Sequence, residues 1–190
     1  LRIKALAELA KAGKQDEVIR DGEAVIKLYP DYVEAANAYE FIAEAHVAKG
    51  QKKEAAAVLD RYLKNGGRNP ETLKRLAKLQ EEMGDKKAAA VTLQRVNYIY
   101  PVNDEELHRR LGDLWLAQQN YAGAIREFRA VLAGGTTDPA AAHFNIARAY
   151  VAAKQNGKAE DHLLQALESA PGFRPAQKLL LEIEDQKEKR

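Results

Sequence analysis

An all-α fold of about five helix-turn-helix repeats, closed by a C-terminal capping helix, is predicted by three features of the chain. First, an aliphatic–small pair recurs as Ile42–Ala43, Leu76–Ala77, Leu111–Gly112 and Ile146–Ala147, at intervals of 34, 35 and 35 residues. Second, another small position keeps step with it as Ala55, Ala89, Ala124 and Ala159. Four residues on come Leu59, Leu93, Phe128 and Leu163, and three further on Tyr62, Val96, Val131 and Ala166. These are helical spacings, so each set marks one face of a helix. Third, alanine, the best helix former, is the commonest residue with 34 copies, while the chain holds only six prolines.

The stretch Leu111–Ala133 shows the repeat most clearly. Leu111, Gly112 and Trp115 share one face of its first helix; Ala124, Phe128 and Val131 share one face of its second, which Tyr121 begins. Such a pair cannot bury its apolar face alone and needs copies on either side. In chain order, the first copy has helices over Leu1–Ala12 and from about Asp16, its expected cap, to Tyr29, with the turn at Gly13 and the stop at Pro30. It is worn: Leu6 stands where a small residue is usual and Gly22 where a bulky one is. Asp31 is expected to cap a long helix reaching Lys49, with Gly50 as the turn and Lys53–Lys64 as partner. Gly13 and Gly50 are 37 residues apart, three more than Gly50 and Gly84, and the surplus is placed near Tyr32–Ala36. Asn65, Gly66 and Gly67 read as the most flexible joint. Asn69 and Pro70 open the third copy, Lys86–Tyr98 is its second helix, and Pro101 closes it. Asp104 opens the fourth, and the Gly134–Thr137 stretch separates it from a fifth begun by Asp138 and Pro139. Lys158–Ser169 completes the fifth, and Pro171 ends it. The resulting single domain, 1–190, divides into repeats at 1–32, 33–69, 70–103, 104–138 and 139–173, with a capping helix over 175–190 that fades into a charged end.

A period near 34 residues, with a Leu–small pair, a small residue, a bulky residue and a terminal Pro, resembles the tetratricopeptide repeat family over nearly the whole chain. That resemblance implies a right-handed α-solenoid whose first helices line a concave face that binds peptides or helices of partner proteins. The positions it points to are Asn37, Glu40 and Glu44; Glu71, Lys74, Lys78 and Glu81; Glu106, Arg109 and Asp113; and Phe144, Asn145 and Arg148. Of these, Asn37, Glu40, Glu44, Lys74, Lys78, Arg109, Asp113, Asn145 and Arg148 are the candidate peptide-binding residues. Charge is acidic in the second repeat and mixed beyond it, where a basic stretch beside the Asn145 amide suits an acidic peptide or a C-terminal carboxylate. Chaperone-binding members of the family carry Lys-x-x-x-Asn where this chain has Lys74-x-x-x-Lys78, so chaperone-tail binding is not expected.

Composition narrows the function classes. The net charge of +2 lacks the excess of Lys and Arg that a nucleic-acid footprint needs. There is no Cys, and no apolar run approaches the ~18 residues of a membrane span. Neither nucleic acid nor membrane is expected as a partner. His46, His108, His143 and His162 are the only histidines. His108 and His143 lie one repeat apart, roughly 10 Å at normal helix packing and too far to share a metal. Ser169 is the only serine, no Gly-x-Ser-x-Gly elbow or phosphate-cradling loop occurs, and Glu81–Glu82, Glu105–Glu106 and Glu182–Glu184 read as solvated helix surface. No catalytic residue, metal site or cofactor is expected. Trp115, Phe128 and Tyr150 read as core, and Tyr29, Tyr32, Tyr98 and Tyr100 as packing near helix ends.

The leading expectation is a non-catalytic protein-interaction scaffold. The alternative is a C-terminal accessory domain of a larger bacterial enzyme, a metallopeptidase among the candidates, because the chain opens with Leu1 inside a repeat. Such a start also suggests a fragment of a longer protein and, through Leu6 and Leu9, an apolar surface for self-association.

Overall fold

The computed structural model describes residues 2–188; Leu1, Lys189 and Arg190, at the two ends of the expected first and last helices, lie outside the described residues. Among the described residues there are eleven α-helices and no strand. The chain divides into two compact units, Leu1–Pro101 and Val102–Arg190. The first holds α1 (Arg2–Lys11), α2 (Gln15–Leu28), α3 (Ala38–Ala48), α4 (Lys52–Lys64), α5 (Pro70–Glu82) and α6 (Lys86–Ile99). The second holds α7 (Glu105–Ala117), α8 (Tyr121–Ala133), α9 (Pro139–Ala152), α10 (Asn156–Ser169) and α11 (Arg174–Glu188). Within each unit every helix packs on the next, and α1 also reaches α3. This is the helical-repeat fold the sequence predicts.

Short polar side chains start most of these helices. Asn69, Asp85, Asp104, Asn120 and Asp138 each accept a hydrogen bond from a backbone N–H of the first turn. Two expected caps are displaced. Asp16 lies inside the first turn of α2, whose N-cap is Lys14. Asp31 does not start α3; Asn37 does, accepting from the Glu40 N–H at 3.0 Å and donating to the Glu34 carbonyl at 2.9 Å. Ala36 takes a left-handed φ of 56° just before it, so no helix runs through. The Tyr39 hydroxyl ties the segment down by donating to the Pro30 carbonyl at 2.7 Å. The surplus residues of this repeat therefore form an irregular connection rather than an extra helical turn.

The repeated small and bulky positions fit one another by size. Ala43, Ala77, Gly112 and Ala147 are buried, as are Leu59, Leu93, Phe128 and Leu163, each 16 residues later. Gly112 stands where the others have Ala because a Cβ there would meet the Phe128 ring at 2.5 Å. The first repeat inverts the sizes. Leu6 is 1% exposed and packs in the core, while a Cβ on Gly22 would meet Ile42 at 2.6 Å. Leu6 is thus part of the core and not of an exposed apolar end, which corrects the expectation built on it.

The joint at Asn65–Gly67 is also tighter than its composition suggests. Gly67 is buried, its N–H donates to the Tyr62 carbonyl at 2.9 Å, and a Cβ there would overlap the Tyr62 ring at 2.3 Å. The turn within each repeat uses one left-handed residue: Gly13, Gly50, Gly84, then Gln119 at φ 60° and Lys154 at φ 58°. The last α-helix buries Ala176 and Ile183 against the core of its unit and leaves Leu181 exposed, as a capping helix does.

This packing sets two expectations for stability. Gly112→Ala is expected to cost about 1–3 kcal/mol by overpacking, and adding Phe128→Leu is expected to recover part of that loss, because the pair then matches the other repeats. Urea denaturation of the wild type, the single and the double variant measures both steps. Lys154→Gly, at an exposed left-handed position, is expected to stabilise the chain by about 0.5–1 kcal/mol in the same assay.

Candidate functional site

The side chains of the first helices that do not pack inward offer the surface on which a partner could rest. In the first unit, α3 and α5 place Glu40, Glu44, Lys74 and Lys78 there. Glu40 is half-buried and committed: it accepts from the Thr72 hydroxyl and, at 3.3 Å, from Asn69 Nδ2. Glu44 pairs with Arg75 at 2.6 Å, and Lys74 with Glu71 at 3.0 Å. Lys78 is exposed and makes no ion pair among the described residues. Asn37 is not on this surface. It is fully buried; its amide oxygen caps α3 and its amide nitrogen donates to the Glu34 carbonyl in the preceding connection.

Glu44 and Lys78 face one cleft of about 390 Å³ between α3 and α5, with Arg75 and Glu82 beside them, Lys52 at the edge and Val47 and Leu79 on its walls. Lys52 binds Glu82 at 2.7 Å and holds that carboxyl below its ordinary pKa; the field of Lys78 adds to the effect. Three cations against two carboxylates leave the cleft with an excess of positive charge. Arg75, Lys52 and Glu82 were not among the expected residues. Arg75 lies three positions before Lys78 and so on the same helix face, which was the available signal.

In the second unit, Arg148 on α9 donates to Asp113 on α7 at 3.3 Å and to the Asn145 amide oxygen at 2.8 Å. Three of the expected residues are thereby brought into one group. Arg109 stands apart, paired with Glu106 one turn back on its own helix. Glu44, Lys78, Asp113 and Arg148 occupy one register position, one residue after the small position of each repeat, and their charges alternate in sign.

The histidines pair within repeats and not between them. His108 Nδ1 lies 2.9 Å from Glu127, which is only 4% exposed and also accepts from Arg126 at 2.8 Å. His143 Nδ1 lies 3.0 Å from His162 Nδ1. Both pairs span 19 residues from a first helix to the second helix of the same repeat. The His162 ring also stacks on Tyr150, with centroids 5.6 Å apart. Burial lowers the pKa of both imidazoles of the fifth repeat. For His162 the fields of His143 and Arg129 lower it further against Asp161, and for His143 Glu168 opposes the shift.

Among the aromatics, Phe128 and Tyr150 are buried in the core of the second unit, and Trp115 is packed against it. Tyr29, Tyr32, Tyr98 and Tyr100 are not packing residues as expected; they are exposed, Tyr98 by 87%.

Sequence profiles described as tetratricopeptide repeat match residues 36–79, 74–139 and 116–183, so that together they cover most of the chain. No curated protein sequence gives a match. Among solved structures, the chain is similar to YrrB, described as a TPR protein with an unusual peptide-binding site. The identity is 22%, the coverage 94% of this chain and 89% of that one, and the TM-score 0.68. It is also similar to MamA from Desulfovibrio magneticus RS-1, with 23% identity, 79% and 84% coverage and a TM-score of 0.63. The Cut9–Hcn1 hetero-tetramer of the APC/C contains a further likeness, at 17% identity, 98% coverage of this chain, 36% of that one and a TM-score of 0.52. At these identities the likeness is one of fold.

The histidine pair of the fifth repeat makes stability depend on pH. Lowered pKa values in the folded chain mean that unfolding takes up protons, so the contribution is full above the ordinary histidine value of about 6.5 and fades as pH falls through the lower folded values. The urea midpoint is expected to drop between pH 7.5 and pH 5, and to drop less in His143→Gln/His162→Gln.

Proposed function

The chain belongs to the tetratricopeptide repeat family, and from that membership we propose that it is a non-catalytic scaffold that holds a peptide or helix of a partner protein against its first helices. The observation that carries this reading is the cleft between α3 and α5. It offers the apolar side chains Val47 and Leu79, an excess of cations, and a lysine, Lys78, that makes no ion pair among the described residues. A peptide with alternating apolar and acidic side chains suits that combination: the apolar groups bury area, and a carboxylate meets Lys78 in a charge-assisted hydrogen bond. The peptide-binding site described for YrrB supports the same use of the fold.

In the second unit, Asp113, Asn145 and Arg148 form a bonded group that offers donors and acceptors together. It suits the backbone amides and carbonyls of an extended segment better than a single charge. Glu40, Lys74 and Arg109 keep local partners and serve chiefly to shape the surface.

Charge reversal tests the reading. A partner captured from native lysate is identified by mass spectrometry, and its affinity is measured against wild type and against Lys78→Glu. A loss of about tenfold or more, equal to about 1.4 kcal/mol, is expected. Unchanged affinity for both Lys78→Glu and Arg148→Glu would remove the first-helix surface from the account.

A further inference from the structure

The second unit carries another cleft, on the side of its second helices, whose chemistry differs from the first. It encloses about 830 Å³ and is lined by Arg129 of α8, Tyr150 of α9, and Lys158, Asp161, His162 and Gln165 of α10, with Leu132 and Ala133 at one edge. A smaller cleft of about 390 Å³ adjoins it and shares Arg129 and Tyr150.

Arg129 is exposed and makes no hydrogen bond or ion pair among the described residues. Lys158 is held only by the Gln155 amide oxygen at 2.9 Å, with its ammonium 5.5 Å from the centre of the Tyr150 ring. The His162 ring stacks on Tyr150, and its Nδ1 is engaged by His143. When His143 donates in that contact, the proton of a neutral His162 sits on Nε2 and is a donor. Asp161 is the only carboxylate lining the cleft and does not balance the two cations.

We propose that this cleft binds a phosphate monoester dianion. Arg129, Lys158 and His162 bring donors from two helices to one place, where a tetrahedral oxyanion presents an oxygen to each. A carboxylate has two coplanar oxygens and is satisfied by a single guanidinium fork. Two positive charges against one negative charge favour a dianion over a monoanion. Leu132 and Ala133 give the organic part of the ester an apolar wall. The donors of this site lie on α8 and α10, whereas the partner-binding side chains lie on α3, α5, α7 and α9, and the two sets share no residue.

Phenyl phosphate, titrated at pH 7.5 and low ionic strength into the whole chain and followed by the imidazole resonances, tests the assignment. Saturable shifts of the His162 and His143 signals are expected. Affinity is expected to fall about tenfold or more in Arg129→Gln and in Lys158→Gln, and to stay unchanged in Lys78→Gln. Saturation is also expected to raise the apparent pKa of His162, because the dianion offsets the fields of His143 and Arg129 and adds to that of Asp161; Glu168 acts on His143 in either state. The absence of saturable shifts, equal affinity for glutarate, or undiminished affinity in Arg129→Gln would overturn the proposal.

Discussion

How closely the two helices of a repeat approach is decided by a small residue on the first and a bulky residue 16 positions later on the second. The fold depends on that match. Interiors pack to nearly crystalline density, so volume removed from one side must appear on the other. Gly112 opposite Phe128 shows the compensation directly, since the ring occupies the space a Cβ would need. The first repeat reaches the same end from the opposite direction. Leu6 supplies volume from the first helix, and Gly22 gives its own to Ile42 of the next repeat. What looks like wear in the sequence is a different division of the same space.

Local signals are legible in the sequence, and tertiary ones are not. Asn69–Pro70, Asp104 and Asp138–Pro139 fix their helix starts through bonds within one turn, and those starts follow from the sequence. Asp31 and Asn37 are equally good caps on paper. The choice falls on Asn37 because the Tyr39 hydroxyl reaches the Pro30 carbonyl, a contact nine residues long that spacing does not reveal. Gly67 reads as freedom in the sequence, yet it is glycine because the Tyr62 ring lies against it. On the candidate surface, Glu44 and Lys78 follow from the repeat register. Lys52 and Glu82 do not, because their meeting depends on the angle between α4 and α5.

A second layer of specification sits one turn from the small–bulky pair. Repeat two has Tyr39 and Val58 there; repeats four and five carry His108 with Glu127 and His143 with His162. Polar groups at such depth are tolerated only when bonded. Glu127 meets that condition with His108 and Arg126, and the two imidazoles of the fifth repeat meet it with each other. An apolar pair would hold the helices together without that constraint. The imidazole pair of the fifth repeat instead ties the packing of α9 on α10 to proton uptake.

The two kinds of surface place different demands on a ligand. In the cleft between α3 and α5, Glu44 already has Arg75 and Glu82 already has Lys52. A charged partner there competes with bonds that exist before it arrives, and exposed ion pairs exchanged for other ion pairs yield little net free energy. Affinity at that cleft must come from apolar area over Val47 and Leu79, with Lys78 setting orientation and register. Around Arg129 nothing has to be exchanged. Among the described residues the guanidinium has no hydrogen-bonded or ion-pair partner to lose, so the whole of a charge-assisted bond is available to an anion. Specificity on the first surface is therefore a matter of shape, and on the second a matter of charge and of the number of acceptor oxygens.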